Sequence, residues 1–118
     1  MAFATTTLSR HDAWIIGLVS VAHGLSHFFQ LVLPPLFPFL HEEFDVSYAV
    51  LGLMMMVFYS VSGVAQTGAG FLVDRYGARR ILLVGLAVFA LAVALIGLSP
   101  AFWLMFPLAA LAGIGNSV

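Results

Sequence analysis

The amino-acid sequence predicts an all-α integral membrane protein with about four transmembrane helices. Three observations carry that prediction. Of 118 residues, 63% are hydrophobic and 8% are charged, against roughly 45–50% apolar and about 25% charged in soluble domains. The apolar residues fall into four stretches, each near the roughly 20 residues that a helix needs to cross a hydrocarbon core of about 30 Å. These stretches are continuous, with no alternation of polar and apolar residues, which selects helices over barrel strands.

Taken in order, residues 1–12 read as an N-terminal tail and residues 13–40 as the first span. That span runs from Ala13 to about Leu33 and reaches Leu40 if it bends at Pro34 and Pro35. It outlasts the roughly 7–15 apolar residues of a secretory leader and no A-x-A site closes it, so it reads as a retained helix. An acidic link, His41-Glu42-Glu43-Phe44-Asp45, leads to the second span over 47–73, with Asp45 or Ser47 placed as its cap. The segment from Asp74 to Arg80 connects to the third span over 81–98, and Ser99-Pro100 makes a tight break before the fourth over 101–118.

All four basic residues, Arg10, Arg75, Arg79 and Arg80, lie in the tail or in the second link. Alternating spans put those two segments on one side, and the bias of Lys and Arg toward the cytoplasmic face makes that side, and the N-terminus, cytoplasmic. The chain then reads as a multi-pass protein of the plasma (inner) membrane. The fourth span ends on Gly113-Ile114-Gly115-Asn116-Ser117-Val118, without an interfacial aromatic or a basic flank. Ala109, Gly113 and Ser117 form a small-xxx-small row suited to close helix contact. The expectation is that the chain continues and that 1–118 is an incomplete portion of a larger protein.

The first span carries the chemistry. Ser20, His23, Ser26, His27 and Gln30 fall within an arc of roughly 120° at about 100° per residue. Polar groups inside a bilayer face a bundle interior or a water-filled cavity, so His23, His27 and Gln30 are the candidates for a substrate or proton pathway. Histidine titrates near neutral pH, as a proton carrier must. Hydrogen bonding to a neighbouring helix is the other role open to this face. The His-x3-His spacing also suits zinc, but no third ligand lies nearby, so no metal is expected. Met54, Met55 and Met56 face three directions and read as gap filling or lipid contact. Gly63, Thr67 and Gly70 read as a packing seam, and Gln66 is left undecided. A net charge of −1 gives no reason to expect nucleic acid, the absence of cysteine removes thiol chemistry, and no nucleophile, base and orienting group can be assembled. Neither an enzyme nor a cofactor is expected.

The stretch Gly70-Phe71-Leu72-Val73-Asp74-Arg75-Tyr76-Gly77-Ala78-Arg79-Arg80 resembles the G-x-L-x-D-R-x-G-x-R-R signature of the major facilitator superfamily, which lies between its second and third helices. Ala78 departs from the basic residue that many members carry. The resemblance implies part of a 12-helix fold whose remaining partner is a C-terminal half of the same chain. It implies a gating motif of Gly70, Asp74, Arg75, Gly77, Arg79 and Arg80, with Asp74 and Arg75 as a latch between halves. For the arginines, orientation and lipid headgroup contact is an equal alternative. Ser20 to Gln30 and the Gly113–Val118 ending are similar to the fosmidomycin-resistance branch, a group of drug exporters. That implies secondary active efflux of a drug or metabolite by alternating access, as a proton-coupled antiporter. Many proton-driven members carry an arginine where Ala109 stands, which leaves the energy source open. The alternative is a complete four-helix protein, acting as an oligomeric small exporter or a non-transporting subunit. Small exporters of that kind need a carboxylate inside the membrane, whereas Asp12, Glu42, Glu43, Asp45 and Asp74 all sit at links or helix ends.

Overall fold

The structure, a computed structural model, describes residues 9–118. Two compact units make up this chain, one ending at Val32 and the other running from Leu33 to Val118. The first holds helix α1, Arg10–Val32. Its start is fixed by a reciprocal cap: the Asp12 amide donates to Ser9 Oγ at 3.1 Å, while the Ser9 amide and hydroxyl donate to Asp12 Oδ2 at 3.1 and 2.7 Å. This satisfies helix N-terminal donors and places a carboxylate at the positive end of the helix dipole. The helix thus begins three residues before Ala13, within the stretch expected to be tail.

The second unit opens with a 3₁₀ turn, Pro34–Leu36, followed by α2, Phe37–Phe44. The prolines lack the amide hydrogens that a continuous α-helix would use, so the helical ladder changes register here. Helix α2 ends on Asp45 in the left-handed region, with φ 50° and ψ 44°, a conformation that a short polar side chain tolerates. Next comes α3, Tyr48–Tyr76, capped by Ser47, whose hydroxyl accepts from the Val50 amide at 3.3 Å. Of the two residues that the sequence offers as caps, Ser47 therefore serves α3 and Asp45 closes α2. His41 Nδ1 donates to the Val46 carbonyl oxygen and its ring stacks on Tyr48 at 4.7 Å, tying α2 to the start of α3.

Helix α4 covers Ala78–Gly97, and a turn and 3₁₀ segment, Phe102–Leu104, leads into α5, Met105–Asn116. Among the described residues, three stretches, Arg10–Phe44, Tyr48–Tyr76 and Ala78–Gly97, are long and apolar enough to cross a membrane, while Phe102–Asn116 is a shorter apolar helix.

Helix α5 packs against both α3 and α4, and glycine makes this possible. A Cβ on Gly113 would fall 2.5 Å from the Phe58 carbonyl oxygen of α3, and one on Gly115 would fall 2.5 Å from the Phe89 nitrogen of α4. Two residues apart on a helix means roughly 200° of rotation, so α5 offers a bare backbone to each neighbour. Ala109 and Ala112 are buried beside them, as are Leu51, Met54 and Phe58 of α3 and Phe89 and Ala92 of α4. Phe58 and Phe89 meet at 6.2 Å. Of the expected Ala109–Gly113–Ser117 row, Ala109 and Gly113 are buried, and the Ser117 hydroxyl turns back to the Ile114 carbonyl at 2.6 Å.

The expected seam on α3 is a different one. Gly63, Thr67 and Gly70 are exposed, and open space surrounds Gly63 and Gly70. The packed face carries Leu51, Met54, Phe58, Ser62 and Ala69, roughly 140° away round the helix. Met54, Met55 and Met56 run from buried through half-buried to exposed, as three directions of a helix require.

A polar contact crosses this core. The Asn116 side-chain amide donates to Ser62 Oγ at 3.0 Å, linking α5 to α3 where Ser62 is 4% exposed. Interhelical hydrogen bonds in bilayers contribute about 0.6 kcal/mol on average and at most about 1.7. A double-mutant cycle of Ser62→Ala and Asn116→Ala is expected to return a coupling of that size in a reversible unfolding titration. A coupling of zero would mean that the two groups are not bonded in the bilayer.

Candidate functional site

The link between α3 and α4 is a single residue. Gly77 has φ 90° and ψ 140°, its amide donates to the Val73 carbonyl at 2.9 Å, and its carbonyl accepts from Ile81 at 3.3 Å. A side chain at this φ would be strained, so glycine is what lets the chain turn here.

The turn places Asp74 and Arg75 in the last turn of α3 and Arg79 and Arg80 at the start of α4, all exposed. Helix dipoles favour cations at C-termini and anions at N-termini, by about 0.3–1 kcal/mol each. Arg75 obeys that preference, and its guanidinium lies 5.6 Å over the Tyr76 ring. Asp74, Arg79 and Arg80 all oppose it. Three of the four charges are thus set against their own helices. Gly70 and Asp74, four residues apart, share one exposed face of α3 with Gly63 and Thr67, away from the side packed on α5. Gln66 is exposed near the same face.

Helix α1 holds the second group. His23 Nε2 and His27 Nε2 lie 3.0 Å apart, with the rings edge to face at 4.5 Å between centroids and 86° between planes. On the same face, the Gln30 amide donates to Ser26 Oγ at 3.3 Å. The polar arc thus includes two one-turn contacts, histidine to histidine and glutamine to serine. Among the described residues, no group of three His, Cys, Asp or Glu side chains could hold a metal ion.

Reading the sequence missed the pairing of Ser62 with Asn116. The available signal was that a polar group inside an apolar helix seeks a partner, but 54 residues separate the two.

The Major Facilitator Superfamily profile matches residues 19–118. The fosmidomycin resistance protein of Escherichia coli (strain K12) is 29% identical over 117 residues, which is 99% of this chain and 29% of that protein. A multidrug transporter of Candida glabrata is 24% identical over 111 residues, 93% of this chain and 19% of that protein. This chain therefore spans less than a third of the length of either relative. No solved structure matches. With a helical membrane fold, the glycine turn between α3 and α4 and a profile match over most of its length, this chain belongs to the major facilitator superfamily, whose members are transporters rather than enzymes.

Proposed function

We propose that this chain supplies the first helices of a secondary active transporter that exports a small drug-like molecule or metabolite in exchange for protons, by alternating access. The exposed Asp74–Arg80 turn is the observation that carries this reading, since Asp74, Arg79 and Arg80 are placed against their helix dipoles and all four charged side chains are exposed. Asp74 and Arg75 act as the latch, and Gly70 leaves room for the helix that approaches. The partner is a second half of the same protein, related to the first by the repeat logic of such transporters. The N-terminus is cytoplasmic in a plasma (inner) membrane, because Arg10, Arg75, Arg79 and Arg80 lie on the two segments assigned to that side. His23, His27 and Gln30 line the pathway, and the names of the two relatives favour drug efflux.

The test is transport in proteoliposomes with an imposed pH gradient. The full-length protein is expected to move a lipophilic cationic dye against its gradient, and residues 1–118 alone are expected to move none. Transport by 1–118 alone would overturn the proposal in favour of an oligomeric four-helix exporter. Transport by the longer protein that ignores the pH gradient would remove the proton coupling.

A further inference from the structure

We propose that His23 and His27 work as one proton carrier, holding a single transferable proton across their Nε2 atoms, and not as two independent sites. This rests on the proton-coupled reading above and adds the mechanism and the stoichiometry.

The geometry is specific. At 3.0 Å the two Nε2 atoms are at hydrogen-bond distance, and one nitrogen must donate while the other accepts. A hydrogen on both would set two N–H groups against each other, so the closed pair admits one hydrogen in the bridge. In the neutral pair one ring carries its hydrogen on Nε2 and the other on Nδ1. An added proton enters at the free Nδ1 of the donor ring, making an imidazolium that donates to its neighbour. Transfer of the bridging hydrogen moves the positive charge to the second ring, which then releases its own Nδ1 hydrogen. One proton has entered at one ring and one has left from the other. Each ring ends with one hydrogen and the two tautomers are exchanged. The step moves the charge between rings whose centroids are 4.5 Å apart, from one helical turn to the next.

On α1 the other titratable or charged side chains are Arg10, His11 and Asp12 in its first turn, about 16 Å or more from His23 at 1.5 Å per residue. His41, Glu42 and Glu43 lie on α2 and Asp45 caps it, while Asp74 and Arg75 close α3 and Arg79 and Arg80 open α4. Tyr48 and Tyr76 end α3, which leaves Tyr59 as the titratable group within it.

The experiment uses the full-length protein in proteoliposomes, with His23→Gln, His27→Gln and the double variant. Glutamine keeps a polar atom near the Nε2 position and carries no exchangeable charge. The unaltered protein is expected to change rate by about tenfold per pH unit on its limiting limb, the slope for one proton, where two independent sites acting together give about a hundredfold. Each single variant is expected to lose that dependence as completely as the double. If one single variant keeps the original profile and the other loses it, a lone histidine carries the proton: the shared carrier is overturned and the proton pathway survives. If all three keep it, both proposals fall. A readout independent of transport is a scalar coupling between the two Nε2 nuclei in ¹⁵N-histidine-labelled protein, detected across the shared hydrogen and absent if the pair does not form in the bilayer.

Discussion

Gly115→Leu is expected to drive α5 off α4 and to leave the protein unable to assemble. The atoms that a Cβ at Gly115 would meet are the Phe89 nitrogen at 2.5 Å, the Gly85 carbonyl oxygen at 2.8 Å and the Phe89 Cα at 2.8 Å. All are backbone, so no rotamer change relieves the clash, and the helices must separate. Overpacking of a tight core costs about 1–3 kcal/mol, and the improved helix propensity over glycine returns only about 1. Helices in lipid have little hydrophobic force to hold them together, so lost van der Waals contact is not recovered by looser association. The sequence has no cysteine, which makes thiol labelling a clean measure. Ala92→Cys, at a position with no exposure, should resist a thiol reagent in the parent and react within the Gly115→Leu background. Gly52→Ala, inside α3 with nothing within 4 Å of its added carbon, is the control and should leave labelling unchanged. Continued protection of Ala92→Cys in the leucine variant would show that α4 and α5 are not in contact in the membrane.

Asp74→Asn should separate stability from transport. The carboxylate lies in the last turn of α3, where the dipole disfavours it, so its neutralisation should leave the helix unchanged or firmer by about 0.3–1 kcal/mol. If Asp74 latches the cytoplasmic side through a charge-assisted hydrogen bond of about 1.5–3 kcal/mol, the same change should slow transport by about tenfold or more. A residue with only a structural role cannot give that combination. Thermal stability and efflux measured on one preparation decide the matter, and unimpaired efflux would dismiss the latch.

The spanning elements were legible because lipid allows so few solutions. Continuous apolar runs bounded by Pro34-Pro35, Asp74–Arg80 and Ser99-Pro100 leave little choice but helices. The partners of each helix face were not. Small residues occur on both sides of α3, and the sequence does not say which side meets another helix. The Gly63–Thr67–Gly70 row looks as suitable as Ser62 and Ala69, yet α5 meets the latter. Helix α5 is apolar apart from Asn116 at its end, so no polar stripe marks the opposite roles of Gly113 and Gly115. The histidine spacing fixed a common face, while the 3.0 Å approach of the two Nε2 atoms depends on rotamers that spacing cannot specify.

The lone residue between α3 and α4 also has a mechanical consequence. Helices of 29 and 20 residues meet at Gly77, which makes two arms of roughly 43 and 30 Å sharing one pivot. A twist of about 20° there would sweep the far tip of the longer arm by roughly 15 Å. Glycine offers little resistance to such torque. The angle must be held from further out, and α5, wedged against both arms, is the brace that holds it. Any force applied beside the pivot at Asp74 is thereby spread over the braced triangle as a whole, and the hairpin swings as a rigid lever or not at all.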